Sequence, residues 1–157
     1  MLYIKLGGDF LLALAITLGT SAYHFTMRLL AGACVNALMR NQADCSAWWF
    51  RPRAFEARLY RSLKVMAWKK YLPSYNPALF NMKEKSAGEI AQAMCQAEIV
   101  HEIIILLSFA PLAMIKFFGA APVFIITSLL AACIDLLFVI LQRFNRPRIL
   151  KISRRFG

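Results

Sequence analysis

The sequence predicts an all-α integral membrane protein, and three observations carry this prediction. Of the 157 residues, 60% are hydrophobic, only 17% are charged, and the hydrophobic residues concentrate in three long runs. A soluble domain usually holds roughly 45–50% apolar and about a quarter charged residues. A disordered chain is poor in aromatic residues, which make up 13% of this sequence. The composition excludes both classes and indicates a single membrane domain over residues 1–157 with about three transmembrane helices.

The first apolar run extends from Phe10 to Met39 and predicts a transmembrane helix. A bilayer core about 30 Å thick needs about 20 helical residues, so this run is longer than one crossing. Its only ionisable residues are His24 and Arg28. A secretory signal peptide, with Lys5 in a short n-region, is the competing interpretation. The apolar character resumes after Arg28, which favours an uncleaved helix.

Residues 40–96 form a basic segment that is rich in Trp and Tyr. The segment contains ten Lys and Arg and all three Trp of the chain. This mixture suits the headgroup layer, where aromatic rings lie and anionic lipids attract cations. A nucleic-acid surface is the alternative, but a membrane-embedded chain favours lipid, and we predict no nucleic-acid partner. We expect a cytoplasmic interfacial segment with a short amphipathic helix over about 55–66 and a capping box at Ser86 and Glu89.

The second and third apolar runs predict a helical hairpin. We expect transmembrane helices over about 97–118 and about 122–142, followed by a basic tail over 143–157. Asp135 is the only ionisable residue of the third helix, and we expect it to have a structural role there. Its expected partners are Arg28, through an ion pair, or His24, through a hydrogen bond.

Lys and Arg are distributed unevenly around the three helices. The middle segment has ten and the tail has six, whereas the N-terminal arm has only Lys5 and the hairpin only Lys116. Positive residues favour the cytoplasmic side of a membrane. We therefore expect a multi-pass protein of the cell (inner, cytoplasmic) membrane with its N-terminus outside and its C-terminus in the cytoplasm.

The sequence predicts neither a metal site nor another cofactor. Four cysteines without CxxC spacing are spread along the chain, at Cys34, Cys45, Cys95 and Cys133. This pattern indicates inert thiols rather than a disulfide framework or a zinc site. Glu98-x-x-His101 is half of a di-iron bundle motif, but only one copy occurs.

Three polar residues near the start of the second helix are candidates for catalysis. Glu98, His101 and Glu102 are spaced i, i+3 and i+4, which places them on one helix face. The hairpin topology places the end of the third helix at the same depth in the membrane as the start of the second. Four polar residues lie there: Gln142, Arg143, Asn145 and Arg146. A His beside a carboxylate is the usual general base, and Arg can hold a phosphate or a developing oxyanion. The alternative is a structural role, in which these residues are solvated or paired with one another.

Three motifs in a fixed order carry a family resemblance. They are Trp68-Lys69-x-x-Leu72-Pro73, Ala97-Glu98-x-x-His101 and Gln142-Arg143-Phe144-Asn145-Arg146-x-Arg148. In this order they resemble the glycosyl-diaponeurosporenoate acyltransferase family, over roughly Trp48 to the C-terminus. The last motif, directly after a helix, is the most specific. Members are small bacterial membrane proteins, the best known of which transfers a fatty acyl chain to the sugar hydroxyl of a carotenoid glycoside.

The chain departs from the family pattern at flanking positions. The family pattern has an acidic residue and an Arg before the Ala-Glu pair, where this chain has Ala93 and Gln96. The pattern has a Trp after the His, where this chain has Glu102. Asp135 and Leu137 replace an Asn and a Pro of the last helix. These departures leave the substrate open.

The resemblance implies a membrane acyltransferase of lipid metabolism, active in carotenoid biosynthesis in the family resembled. It moves a fatty acyl group to a hydroxyl of a lipid or glycolipid. His101 is then the general base, Glu98 orients it, and Glu102 completes the catalytic set. Six residues are expected to contact the substrates: Gln142, Arg143, Asn145, Arg146, Trp68 and Lys69.

The implied partners are a membrane lipid and an acyl donor, namely acyl-CoA, acyl carrier protein or a phospholipid. Two further interpretations stay open. One is a different lipid-modifying enzyme on the same scaffold. The other is a non-enzymatic membrane subunit that binds anionic lipid or a larger membrane partner through its basic cytoplasmic face. A homo-oligomer is compatible with each of them.

The charge distribution makes a testable prediction about topology. A reporter fused at Gly157 is expected to read cytoplasmic, and a reporter inserted beside Gly119 is expected to read external, because Lys and Arg concentrate in the middle segment and the tail. Paired alkaline phosphatase and fluorescent protein fusions measure both positions. The reverse pattern would contradict the orientation.

Overall fold

The computed structural model describes residues 2–72, 77–81 and 83–156, and the regular elements of these residues are all helical. The helices are α1 (Leu2–Met39), α2 (Glu56–Ser62), α3 (Val65–Trp68), α4 (Ala87–Leu107), α5 (Ile115–Phe118) and α6 (Ala121–Phe156). Short 3₁₀ turns lie at Trp48–Phe50, Lys69–Tyr71, Pro77–Phe80 and Ala110–Met114.

Three helical segments of the described chain are long and apolar enough to cross a membrane. They are Phe10–Met39, Ala87–Phe118 and Ala121–Lys151, with mean hydropathies of 1.4, 1.9 and 2.7. Their outer faces expose large apolar side chains, for example Phe10, Leu106 and Leu130. Such faces are stable against lipid tails. The predicted fold class, an all-α membrane protein with about three transmembrane helices, is confirmed.

The second of these segments includes the predicted range of 97–118 and begins ten residues before it, at Ala87. α4 begins at Ala87 because Ser86 and Glu89 form the expected capping box. The Ser86 hydroxyl accepts from the Glu89 amide at 3.2 Å, and the Glu89 carboxylate accepts from the Ser86 amide at 2.9 Å. The helix ends at Leu107, and a 3₁₀ turn around Pro111 and the short α5 carry the chain on to Phe118.

The tight turn before α6 requires an unusual backbone conformation. Gly119 has a φ of 68° and a ψ of −117°, a region that is essentially restricted to glycine. From this turn α6 continues for 36 residues, through Pro147, to Phe156. The segment predicted as a separate basic tail is therefore the helical extension of the third span. At about 1.5 Å per residue, α6 is about 54 Å long and extends well beyond a bilayer core about 30 Å thick.

α4 and α6 share the largest interface, and α1 packs against both of them. The interior of this three-helix bundle contains several buried polar side chains among small apolar ones. They include His24, Glu98, Ser128, Asp135 and Arg146. Polar groups inside a membrane bundle are costly unless they are paired, so their partners define the places where function is expected.

The interfacial segment, meaning residues 40–86 before α4, packs against the C-terminal half of α6. The helix expected over 55–66 is divided into α2 and α3 by Lys64, which has a φ of 49°. Val65 is fully buried against Ile140 and Phe144 of α6. Earlier in the segment, Phe50 packs against Cys95 of α4. The segment is thus attached to the bundle at two places.

The capping box makes a prediction about stability. Ser86→Ala is expected to lower the free energy of unfolding by about 1 kcal/mol, because the Glu89 amide loses its acceptor at the first turn of α4. Unfolding by sodium dodecyl sulfate in mixed micelles measures the change. Ser62→Ala, at an exposed position in α2, serves as the matched control. Equal effects of the two substitutions would contradict the prediction.

Candidate functional site

His101 on α4 meets Asp135 on α6 inside the bundle. Its Nδ1 lies 2.8 Å from Oδ1 of Asp135, whose side chain is 1% exposed. The imidazole also stacks on Phe138 with ring centroids 4.7 Å apart. A carboxylate accepts at this distance, so Nδ1 carries a proton, and in the neutral imidazole the lone pair is then on Nε2. Nε2 makes no hydrogen bond to the described residues, while the His101 side chain is 21% exposed.

Arg28 on α1 completes this group from the other side of the carboxylate. Its Nη2 donates to Oδ2 of Asp135 at 2.5 Å and to the carbonyl of Ala131 at 3.4 Å. The expected ion pair between Arg28 and Asp135 is therefore present. The three residues Arg28, Asp135 and His101, one from each long helix, form what we call the buried triad after its buried carboxylate; the side chains of Arg28 and His101 are 32% and 21% exposed.

Glu98 does not orient His101, contrary to the sequence prediction. Its carboxylate binds Arg143 and Arg146 instead. Glu98 and His101 are three residues apart on α4, whereas Asp135 and Arg143 are eight residues apart on α6, or about 12 Å. α4 and α6 pack with opposite chain directions, so Glu98, which precedes His101 on α4, meets the arginines that follow Asp135 on α6. His101 therefore reaches Asp135, and Glu98 reaches the arginines.

Arg143 is completely occupied by protein acceptors. Its Nε and Nη2 donate to Oε1 of Glu56 at 3.0 and 2.6 Å, and its Nη1 donates to Oε1 of Glu98 at 2.5 Å. The backbone carbonyls of Trp49 and Arg51 accept two further hydrogen bonds, each at 3.1 Å. A guanidinium has five N–H donors, and all five are used here.

Arg146 is buried beside Arg143 and binds similar partners. It pairs with Glu98 and donates through Nη2 to the carbonyl of Phe50 at 2.5 Å. Its guanidinium lies over the Phe50 ring, 5.0 Å from the centroid, and the residue is 2% exposed. Together Arg143 and Arg146 form an arginine clamp that holds the interfacial segment against α4 and α6.

Glu56 links the clamp to the neighbouring aromatic cluster. It is 6% exposed and accepts from the hydroxyl of Tyr60 at 2.8 Å. Burial raises the pKa of Tyr60 well above its usual range, so the phenol stays protonated and remains a donor. The Tyr60 ring in turn packs edge-to-face on Phe144, with centroids 5.4 Å apart.

The other predicted site residues lie around the clamp. Nζ of Lys69 donates to Oδ1 of Asn145 at 3.2 Å. The indole of Trp68 donates to the carbonyl of Leu63 at 2.9 Å. Gln142 is buried on α6. Lys69 and Asn145 therefore lie together next to the clamp.

Glu102 lies on α4 immediately after His101 and binds the interfacial segment. Its Oε2 accepts from the indole of Trp49 at 2.8 Å. The residue thus positions Trp49, whose own carbonyl accepts from Arg143. Polar residues of α4 therefore take part in two neighbouring groups of contacts, the arginine clamp and the buried triad.

Sequence reasoning left four residues out of the site. Asp135 and Arg28 carried a signal, because charged residues inside apolar helices are expected to be functional. Glu56 and Trp49 could not be predicted, since nothing in the local sequence indicates that Glu56 contacts Arg143 or that Trp49 contacts Glu102. Among the described residues, no group of His, Cys, Asp and Glu is arranged to hold a metal ion.

The fold and the triad define a membrane protein with a histidine–carboxylate pair between its helices. The family model described as glycosyl-4,4′-diaponeurosporenoate acyltransferase matches residues 46–155. The chain therefore belongs to this family of acyltransferases. The matched region contains α4, α6 and most of the interfacial segment, whereas Arg28 lies outside it. No curated protein and no solved structure matches the chain.

The clamp makes a prediction about stability. Glu98→Gln is expected to lower the free energy of unfolding by about 3–5 kcal/mol, because it leaves the buried guanidinium of Arg146 and the largely buried one of Arg143 short of a counter-charge. Detergent unfolding followed by circular dichroism measures the loss. Glu84→Gln, which removes an exposed carboxylate, is the control and should change stability by less than about 0.5 kcal/mol. A similarly small effect at Glu98 would contradict the structural importance of the clamp.

Proposed function

We propose that the protein moves a fatty acyl group to a hydroxyl of a membrane lipid or glycolipid, with His101 as general base. The observation that carries this proposal is the contact of 2.8 Å between His101 and Asp135, in a chain that belongs to an acyltransferase family. Acyl transfer to a hydroxyl needs a base for the hydroxyl proton, and a neutral imidazole held by a carboxylate is suited to this role.

The reaction follows from the orientation of the imidazole. Nε2 of His101 takes the proton of the acceptor hydroxyl while the hydroxyl oxygen attacks the carbonyl carbon of the acyl group. An ester bond forms, and the bond between the acyl carbon and the sulfur or oxygen of the donor breaks. His101 then returns the proton to the departing group. Asp135 stabilises the transient imidazolium, and Arg28 holds Asp135 in place.

The surroundings of the triad support the proposed substrate classes. The apolar part of the acceptor lies along the lipid-exposed faces of the helices, and its hydroxyl reaches His101 from the partly exposed side. In the family the acceptor is a carotenoid glycoside, as its description states. The donor classes, acyl-CoA, acyl carrier protein and phospholipid, all carry phosphate. The basic residues of the interfacial segment attract them to the cytoplasmic face of the cell membrane.

The arginine clamp has a structural role in this proposal. Because Glu56, Glu98 and backbone carbonyls occupy the five donors of Arg143, Arg143 acts on the reaction by fixing the interfacial segment rather than by binding a substrate. Glu98 acts in the same way. Glu102 fixes Trp49 at the edge of the site.

A non-enzymatic role has one specific observation in its favour. The interfacial segment exposes several cations outside the clamp, including Arg53, Arg58 and Lys64, and such a surface binds anionic lipid or an acidic membrane partner. Lipid analysis of a deletion strain separates the two functions. An enzyme is expected to leave a non-acylated hydroxyl lipid that accumulates, whereas a binding subunit leaves the acylated lipids unchanged.

The proposal predicts the effect of two substitutions at the triad. His101→Ala is expected to lower the acylation rate per folded molecule by about 10²–10⁴-fold, because the hydroxyl proton loses its acceptor. Asp135→Asn is expected to cause a smaller loss, because an amide can still orient the imidazole but supports the imidazolium poorly. Acylated product from an extract of the host membrane, quantified by mass spectrometry, measures both.

The control for these substitutions is Gln92→Ala on the same helix. It should retain full activity, since Gln92 lies beside a surface cleft at the start of α4 rather than at the triad. Folding of each variant is checked by size-exclusion chromatography in detergent. Normal activity per folded molecule of His101→Ala would contradict the catalytic assignment, even though the chain belongs to the family.

A further inference from the structure

Two cysteines that are far apart in the sequence touch in the fold. Sγ of Cys45, in the interfacial segment, lies 3.0 Å from Sγ of Cys95 on α4. Cys95 is fully buried and packs against Ala43 and Phe50, while Cys45 is partly buried at the edge of the same cluster. The sequence alone indicated inert thiols at both positions. The contact between the two sulfur atoms changes this interpretation, because paired thiols have chemistry that isolated ones lack.

The two sulfur atoms are in non-bonded contact, at a separation from which a covalent bond can form. A disulfide has an S–S length of about 2.0 Å, so the two atoms need to approach by only about 1 Å. Small rotations about the Cα–Cβ bonds of the two side chains supply such a movement. The bond would join the interfacial segment to α4 one turn before Glu98.

Cys45 is accessible to a reagent from the surface. It lines a cleft of about 370 Å³ together with Asp44, Ser46 and Gln92. The thiol of Cys95 donates a hydrogen bond to the sulfur of Cys45, which lowers the pKa of Cys45, and the charge of Arg146 lowers it further. A thiolate is the nucleophile in thiol–disulfide exchange. The more accessible member of the pair is thus also the more reactive one.

We propose that Cys45 and Cys95 form a reversible dithiol–disulfide pair that a small disulfide oxidant closes. The Cys45 thiolate attacks one sulfur of oxidised glutathione, which forms a mixed disulfide and releases one glutathione. Cys95 then attacks the sulfur of Cys45 and releases the second glutathione. The two cysteines lose two electrons and two protons, and the two glutathione molecules take them up. Reduced glutathione in excess reverses both steps.

Oxidation has a defined structural consequence. The new bond fixes Cys45 to α4, and Phe50, five residues later, is already fixed by Arg146 through its carbonyl. The chain between these two points, which contains Trp49, is then held at both ends. The oxidised protein is therefore expected to protect the amides of residues 46–50 from hydrogen exchange more strongly than the reduced protein.

The experiment uses the full chain in detergent, equilibrated with oxidised or with reduced glutathione. After acid quenching, intact mass spectrometry and a maleimide-polyethylene glycol reagent count the free thiols in denaturant. Four reactive thiols are expected in the reduced protein. Two are expected in the oxidised protein, with a loss of two hydrogen atoms and no glutathione adduct at Cys45 or Cys95.

The chain supplies matched controls, because Cys34 and Cys133 are exposed on the long helices. Cys34→Ser and Cys133→Ser are each expected to keep the disulfide, and Cys45→Ser is expected to abolish it. Phenylarsine oxide, which binds two adjacent thiols, is expected to bind the reduced wild type once and Cys45→Ser not at all. This binding needs no oxidation and no enzymatic activity.

Two results would overturn the proposal. One is a protein that retains four reactive thiols at every ratio of oxidised to reduced glutathione. The other is a glutathione adduct at Cys45 that Cys95 does not displace. Either result leaves the acyltransferase proposal untouched, since that proposal depends on His101 and Asp135. An inactive enzyme with an intact disulfide would, conversely, leave the thiol pair established.

Discussion

The fold depends on one buried carboxylate, Glu98, which is shared by the two arginines of the clamp. A charge that is completely buried costs several kcal/mol unless partners neutralise it, and Glu98 has no exposed surface. Glu56 supplies the second negative charge, so the two arginines and two glutamates balance. The balance requires α4, α6 and the interfacial segment to be in place together. The clamp therefore sets both the register of the helices and the position of the segment that covers them.

The buried triad repeats this arrangement at a different level of the bundle, with a different outcome. Asp135, like Glu98, is a buried carboxylate that accepts hydrogen bonds from two nitrogen-bearing side chains. Both partners of Glu98 are arginines, which remain charged and have no basic atom to offer. One partner of Asp135 is His101, whose second ring nitrogen keeps a lone pair. The triad can exchange a proton and the clamp cannot, which is the reason for placing the chemistry at His101.

The sequence was sufficient for the fold class, because the length and apolar character of the runs are local properties. It was also sufficient for the capping box, which depends on only four consecutive residues. The pairing of the buried charged residues, in contrast, depends on contacts between residues that are far apart in the sequence. Glu98 and Asp135 were both within reach of several cations, and only the packing of α4 against α6 assigns His101 to Asp135. Glu56 is a still clearer case, since its contact with Arg143 joins residues 87 positions apart.

The charge of Asp135 also explains why α1 contributes to the site. A neutral side chain at this position inside the bundle would need no counter-charge. A carboxylate that is 1% exposed does need one, and Arg28 of α1 provides it although α1 lies outside the region that matches the family. A carboxylate supports an imidazolium better than an amide does. In the proposed reaction the aspartate would strengthen His101 as a base. The cost of burying the Asp135 charge is offset by Arg28, which belongs to a helix outside the family match.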